Sequence, residues 1–300
     1  MHRRPGSKTK FLTKSLGLAV LYEDKDLLVV DKPAGLLTVA TVREKVRTAH
    51  SLLTDYILRG CGRSQKRLYV VHRLDRDTSG ALIFAKSEEA MFRLKANWKK
   101  TEKKYLAVAH GRFEQSSGTI STYLAEDDDL FVYSTPDSTK GRLSHTVYTV
   151  LRETKGLSML EITLLTGRKN QIRVHLAGIG HPIVGDIKYG YEDDQHPRMA
   201  LHARSISFKH PFSNKQLSFE SEIPAFFAAL VGRIDQGYEA KETVQSLHPA
   251  PMSATARMQG VQSTTTRNIR GQAPFRVRNT KSAQSSNPNR AKRKNNEKDR

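Results

Sequence analysis

The densest group of reactive side chains lies in the segment HRLDRDTSG, between the apolar stretches KRLYVV and ALIFAK. Its first six residues, 72–77, hold two arginines and two aspartates. A carboxylate that acts as a nucleophile or base must stay ionised while shielded from water, so it needs a fixed cationic partner. An opposite charge within ~4–6 Å lowers a carboxylate pKa by about 1–3 units. This segment could therefore supply a catalytic carboxylate.

Two alternatives stay open on these residues alone. Clusters of opposite charge are often structural ion pairs rather than reactive sites. If one carboxylate is reactive, Asp75 and Asp77 are equal candidates by their chemistry.

Five segments, taken together, resemble the RluA-type pseudouridine synthases in order and spacing. HRLDRDTSG resembles the signature motif of that family. The others are LYEDKDLLVVDKPAGLLT, with its Lys-Pro-x-Gly turn, KKYLAVAHG, LLTGRKNQIRVHLAGIGHPIVGDIKYG and LHARSISFKHP. The resemblance extends from about Val20 to Pro224.

The resemblance implies roles for individual residues. The catalytic aspartate falls on Asp75, which leaves Asp77 as a loop-stabilising or solvated residue. Tyr105 matches the active-site tyrosine, whose ring stacks on the target base, and Arg173 matches the arginine that pairs with the catalytic aspartate. One position departs from the family: Asn170 stands where a histidine is common, which removes a titrating group.

The implied reaction is the isomerisation of uridine to pseudouridine in structured RNA, without a cofactor. Ribosomal RNA is slightly favoured over transfer RNA as the substrate, and Asp75 acts as either nucleophile or base. Arg73 is a candidate to fill the gap left by an extruded base. Arg168 and Lys169 either hold phosphates or are merely solvated.

The sequence predicts no metal site. His175 and His181 invite such an interpretation, but no carboxylate or third histidine lies at ligand spacing, so a structural role is favoured. Cys61 is the only cysteine, which excludes an intrachain disulfide and a cysteine-based zinc site. Neither a P-loop nor a GxGxxG or HExxH motif is present.

The elements that position these residues alternate between strands and helices. AVLYEDKDLLVVDKP predicts two strands around a polar turn, and Ser87 predicts the N-cap of a following helix. Seven more segments read as strands and two as helices, RKNQIRVHLAGIG and IPAFFAALVGRI. Runs of strands interleaved with helices predict an α+β fold with a mostly antiparallel sheet. The resemblance implies the pseudouridine synthase fold, a bifurcated mixed sheet flanked by helices and loops.

Charge and composition indicate the partner and the domain boundaries. The chain of 300 residues carries a net charge of +20 and has a pI near 10.0, which favours a polyanionic partner such as RNA. Residues 1–19 read as a basic extension, 20–237 as the catalytic domain and 238–300 as a basic, disordered tail with 13 Lys+Arg against 4 Asp+Glu. The absence of a signal peptide or an apolar span predicts a soluble, cytoplasmic protein, which we expect to be a monomer.

Two other functions compete with the synthase. A non-catalytic RNA-binding or ribosome assembly factor could keep the same fold, although the matches at Asp75, Tyr105 and Arg173 argue against it. A hydrolytic N-glycosylase would share the carboxylate and the flipped base, but it would release free uracil.

Overall fold

The computed structural model describes residues 10–13, 18–41, 47–58 and 67–233. Its strands are β1 (Lys10–Thr13), β2 (Leu18–Glu23), β3 (Leu27–Lys32), β4 (Tyr69–Val70), β5 (Ser79–Ala85), β6 (Glu102–His110), β7 (Ser117–Glu126), β8 (Val132–Thr135), β9 (Arg142–Glu153), β10 (Leu157–Leu164), β11 (Leu201–Lys209) and β12 (Gln216–Glu220). Its α-helices are α1 (Ala49–Leu58), α2 (Glu88–Ala96), α3 (Gln171–Gly178) and α4 (Ala225–Val231).

The β2–β3 hairpin forms around the polar turn that the sequence predicts. Asp24 Oδ1 accepts the backbone N–H groups of Asp26 at 2.8 Å and Leu27 at 2.7 Å, which helps to close the turn. The next strand then carries the unbroken apolar run LLVV, whose residues are fully buried. A run buried on both faces is typical of a strand inside a sheet.

The strands form one branched sheet in the order β1-β2-β3-β5-β11-β6-β10-β9-β7-β8, with β4 paired to β5 and β12 paired to β11. Strand β11 pairs with β5 through its first residues and with β12 through its last five. The sheet therefore splits between these partners. Among the described strands, only β5 and β11 pair in parallel. The predicted bifurcated, mostly antiparallel α+β fold is confirmed.

The parallel junction depends on Gly80. Its φ is +115°, and a Cβ at this position would lie 2.2 Å from the carbonyl oxygen of Ala203 on β11. Only glycine allows the two backbones to approach so closely. This junction begins β5 directly after the HRLDRDTSG loop, so it fixes one end of that loop.

The helices pack their buried apolar residues against the sheet. Ser87 caps α2 by accepting the N–H of Ala90 at 3.1 Å, as the sequence predicts, and Ala90 and Leu94 are buried against β5. Helix α3 packs on β7, β8 and β9, while α4 packs on β6 and β10. None of the helices in the described part of the chain is both long and apolar enough to cross a membrane.

Some elements lie outside the sequence prediction. Strand β1 and the first residues of β2 fall within the stretch assigned to a basic N-terminal extension, so the sheet begins before residue 20. Helix α1 and strands β7 and β8 were also not predicted. The basic tail at 238–300 lies outside the described residues.

The buried histidine of α3 makes folding sensitive to acid. Burial lowers the pKa of His175 to about 4, and in the described part of the chain its ring nitrogens bond to the hydroxyls of Thr146 and Thr122. Because this pKa is below the ordinary 6.5, the unfolded chain binds the proton more tightly. Stability is therefore full above about pH 6.5 and falls as the pH drops towards 4, by about 3 kcal/mol from this group.

We expect His175→Gln to flatten the dependence of the unfolding free energy on pH between 6.5 and 4, measured by urea denaturation at several pH values. His50→Gln on α1 controls for the loss of a histidine elsewhere in the fold. An unchanged slope in His175→Gln would contradict the assignment.

Candidate active site

The loop after β4 is clamped by the turn after β3. Thr38 Oγ1 donates to the carbonyl of Leu74 at 2.8 Å and accepts the N–H of the same residue at 3.2 Å. On the other side of Asp75, the carbonyl of Arg76 accepts the N–H of Gly35 at 2.9 Å. Both backbone neighbours of Asp75 are therefore held.

Lys32 also joins the turn after β3 to the loop that carries Asp75. Its side chain is fully buried, and Nζ donates to the carbonyls of Pro33, Leu36 and Arg76 at 2.8, 2.8 and 3.0 Å. Burial lowers the pKa of Lys32 to about 7, while the charge of Asp77, and then that of Asp75, opposes this shift. Asp77 thus acts on the ammonium that holds the loop.

Helix α3 begins beside this loop. Asn170 takes a left-handed conformation with φ 54° and is the N-cap residue of the helix. The buried side chain of Gln171 accepts the N–H of Arg168 at 3.0 Å and donates to the carbonyl of His145 at 3.0 Å. The first turn is therefore tied to β9, and Arg173 projects from it towards Asp75.

Arg173 joins two carboxylates. Its Nη1 donates to Asp75 Oδ2 at 3.2 Å and to Asn170 Oδ1 at 3.0 Å. Its Nε and Nη2 donate to the two oxygens of Asp186 at 2.7 and 2.8 Å. Burial disfavours the charged guanidinium, but the hydrogen bonds and charge of Asp186, with a smaller contribution from Asp75, outweigh it and raise the pKa of Arg173.

Asp186 is the fixed partner in this arrangement. Its side chain is fully buried, whereas that of Asp75 is 28% exposed. Asp186 Oδ1 also accepts the N–H groups of Lys188 and Tyr189 at 2.9 and 3.0 Å. The ring of Tyr189 lies 5.0 Å from the Arg173 guanidinium carbon and bonds to Asn170 through its hydroxyl. Arg173 is thus oriented by buried groups and presents one edge to Asp75.

Tyr105 lies on β6 within the same hydrophobic core as Leu74. Burial, and secondarily the charge of Asp75, raise the pKa of its hydroxyl, so Tyr105 stays protonated in the physiological range. Arg173 therefore contacts Asp75 directly, and Tyr105 lies close enough for the charge of Asp75 to act on its hydroxyl.

The three candidate RNA-binding residues lie on the surface but differ in their partners. Arg73 and Arg168 are exposed. Lys169 is exposed but forms an ion pair with Glu126 and donates to the carbonyl of Leu130 at 3.0 Å. The two arginines are therefore better placed to receive a phosphate than Lys169.

The two histidines considered as metal ligands have other partners. His175 is bonded to two threonines in the core. His181 Nδ1 lies 2.8 Å from the carbonyl oxygen of His110, and its ring stacks on Phe113 at 4.1 Å. Both rings therefore have hydrogen-bond or stacking partners within the fold.

Chemically, the site offers a solvent-accessible carboxylate in a fixed position. Within the described residues, the Asp75 side chain receives one hydrogen bond, from Arg173 to Oδ2, so Oδ1 remains open. A guanidinium held by a second, buried carboxylate fixes the orientation of Asp75 through a charge-assisted hydrogen bond. Such a group can attack an electrophilic sugar carbon or remove a proton from it.

Comparisons with known proteins identify the class of protein that has this fold and site. Residues 26–178 match the RNA pseudouridylate synthase family. An RNA pseudouridine synthase of Mycoplasma genitalium is 35% identical over 220 residues, 71% of this chain and 69% of that protein. The ribosomal large subunit pseudouridine synthase D of Nitrosomonas europaea is 34% identical over 236 residues, 74% of this chain and 66% of that protein.

Solved structures agree in fold. Human RNA pseudouridylate synthase domain containing 1 superposes with a TM-score of 0.58 at 26% identity, covering 76% of this chain and 89% of that one. The human domain-containing 4 protein gives 0.59 at 24% identity, covering 70% and 90%.

The chain belongs to the RNA pseudouridylate synthase family. It is an isomerase that converts uridine in RNA to pseudouridine, and the resemblance to the RluA type that its sequence showed is confirmed.

Sequence reasoning did not single out Lys32, Asp186 or Tyr189 as site residues. All three lie within segments that carry the resemblance, in VVDKPAG and GDIKYG. The signal that could have found Asp186 is a charged residue inside an otherwise apolar and glycine-rich stretch, because a buried charge requires a partner.

Proposed function

We propose that this synthase isomerises specific uridines in structured RNA with Asp75 as its catalytic carboxylate. One observation supports this most directly. The partly exposed Asp75 pairs with the guanidinium of Arg173, whose Nε and Nη2 donate to the carboxylate of Asp186 at 2.7 and 2.8 Å. Within the described residues, no guanidinium pairs with Asp77, although the charges of both Asp77 and Asp75 act on the buried Lys32.

The reaction requires no co-reactant. The C1′–N1 bond of uridine breaks, the uracil turns, and a C1′–C5 bond forms, while C5 loses a proton and N1 gains one. Asp75 attacks C1′ as a nucleophile or removes a proton from the sugar as a base. On either route, Arg173 orients Asp75 towards the substrate.

The uracil must leave its stack to reach Asp75. Extrusion costs on the order of a few kcal/mol and is easiest in loops and unpaired regions. The family resemblance assigns base stacking to Tyr105, which lies at the edge of the core near Asp75, and Arg73, on the exposed loop beside Asp75, is placed to fill the vacated position. The substrate is therefore an unpaired or distorted uridine in folded RNA.

Ribosomal RNA is the favoured substrate class, ahead of transfer RNA. The relative from Nitrosomonas europaea is named for the large ribosomal subunit, and the net charge of +20 suits an extensively folded polyanion. We place the activity in the cytoplasm, where both RNA classes are available.

The test maps pseudouridines in both RNA classes from cells with and without the gene, complemented by wild type or Asp75→Ala. A site in ribosomal RNA should disappear without the gene and return with wild type only. Restoration by Asp75→Ala would remove Asp75 from its role. A site in transfer RNA alone would overturn the substrate preference, and no change at any site would favour the assembly factor.

We expect Arg168→Gln to weaken RNA binding uniformly across sequences and to reduce the slope of log K against log salt by about 1, because one phosphate contact is lost. Filter binding at several salt concentrations measures the slope. Lys169→Gln is the matched control with a smaller expected effect, since its ammonium is already paired with Glu126. Equal slopes for Arg168→Gln and wild type would contradict the phosphate contact.

A further inference from the structure

Three possible metal ligands converge away from the catalytic carboxylate. His110 Nε2 lies 2.8 Å from Asp194 Oδ2, and His196 Nδ1 lies 2.5 Å from Asp194 Oδ1. The three ligand atoms all lie within 4.8 Å of one another. Their side chains are 19%, 3% and 35% exposed in the order His110, Asp194, His196. The cluster is thus anchored on a buried carboxylate and opens to solvent at His196.

Two separate parts of the fold supply these residues. His110 is the last residue of β6, while Asp194 and His196 lie in the segment between α3 and β11. The Asp194 carboxylate is fixed by the N–H of Gly185 at 2.6 Å and the N–H of His196 at 2.9 Å. The His110 ring packs edgewise against Tyr191 at 5.1 Å. Two of the three ligands are therefore held by the fold.

We propose that His110, Asp194 and His196 form a binding site for a divalent transition metal ion, with zinc the best fit. Two imidazole nitrogens and one carboxylate oxygen form a ligand set that zinc accepts, with water in the fourth position. The half-exposed His196 gives that water access to solvent. This site is additional to the isomerase activity, and it departs from the expectation that the chain holds no metal.

The distances suit the ion after a small adjustment. Tetrahedral ligands at 2.0–2.2 Å from zinc lie about 3.4 Å apart. The present separations of 2.8 and 2.5 Å are hydrogen-bond lengths, so the imidazoles must move outward by under about 1 Å. His196 can make this movement because its side chain is 35% exposed.

A second group of possible metal ligands is excluded by the hydrogen bonds of its histidine, on the ring nitrogen that faces away from the carboxylates. Asp24, Asp26 and His210 also converge, but His210 Nδ1 accepts the N–H groups of Phe212 and Ser213 at 3.2 and 3.1 Å. The proton of neutral His210 is therefore fixed on Nε2, the nitrogen that faces the carboxylates, and a metal cannot bind there.

Neither histidine of the proposed site is restricted in this way. Within the described residues, no N–H donor occupies His110 Nδ1 or His196 Nε2. Each ring can carry its proton on the outer nitrogen and offer the inner one to the ion.

Zinc titration of the full-length protein, prepared without a histidine tag and stripped with a chelator, tests the site. A chromophoric chelator competes for the metal, and Co²⁺ absorption reports tetrahedral geometry. We expect one tightly bound equivalent, and at least a tenfold loss of affinity in His196→Ala and in His110→Ala. His145→Ala, which removes a histidine bonded to Ser121 at the surface, should bind as wild type does.

Thermal unfolding with and without zinc provides a second readout, because an ion that binds only the folded chain raises the Tm. The Tm increase should be present in wild type and absent in His196→Ala, a variant that loses only a half-exposed ring. Failure of the folded wild type to bind a stoichiometric ion would overturn the proposal. Equal affinity in His196→Ala and wild type would also overturn it, leaving a metal-free hydrogen-bonded His–Asp–His cluster.

Discussion

Asp75→Asn should reduce pseudouridine formation by about 10³-fold or more while the protein stays folded. The amide can neither attack a sugar carbon nor accept a proton from it. Folding should survive because the side chain is 28% exposed and is held by one hydrogen bond at 3.2 Å. Release of tritium from RNA labelled at uridine C5 measures turnover, since this hydrogen leaves during isomerisation.

Asp77→Asn is the matched control for this experiment. It changes the same chemical group two residues away, on the same loop, without touching Arg173. We expect turnover within about tenfold of wild type, with a slight loss of stability because one charge near Lys32 is removed. A greater loss of turnover in Asp77→Asn than in Asp75→Asn would exchange the roles of the two carboxylates.

Asp186→Ala should destabilise the fold by about 3–5 kcal/mol and abolish turnover together. The substitution leaves Arg173 buried with only Asp75 and Asn170 as partners and removes two hydrogen bonds of 2.7 and 2.8 Å. The N–H groups of Lys188 and Tyr189 also lose their acceptor. Urea denaturation monitored by circular dichroism measures the free energy, and the C5 tritium assay measures turnover.

The double variant Arg173→Met/Asp186→Leu separates stability from chemistry. Apolar residues of similar volume can replace a buried ion pair at little cost, whereas removal of one partner leaves an unpaired charge. We expect the double variant to be more stable than Asp186→Ala and still inactive, because Asp75 has lost its cation. If the double variant turned over RNA at the wild-type rate, Arg173 would have no role in orienting Asp75.

The sequence was most informative where residues combine a local pattern with a family motif. The polar turn before β3, the Ser87 cap and the run LLVV each follow from short-range rules and appear as expected. Strand β7 is different, because SGTISTYLAE is rich in Ser and Thr and buries Ile120, Leu124 and Ala125 within a polar pattern. Its pairing with β8 and β9 therefore stabilises a strand that local propensity leaves ambiguous.

The site shows the same division between local and long-range information. The pairing of Asp75 with Arg173, 98 residues apart, followed from the resemblance and not from spacing. Asp186 was not identified because its role depends on a turn that returns from α3 to the start of the same helix. His110 and Asp194 are 84 residues apart, so no local spacing rule could bring them together.

The buried side chain of Lys32 restricts movement of the loop that carries Asp75. To swing the Asp75 loop away from the sheet, Nζ would have to give up the Arg76 carbonyl while staying buried. The loss of this acceptor would leave a buried donor unsatisfied, at a cost of about 1–3 kcal/mol that opposes movement of the loop. The Asp75 carboxylate therefore stays in place, and the target nucleotide must move to reach it.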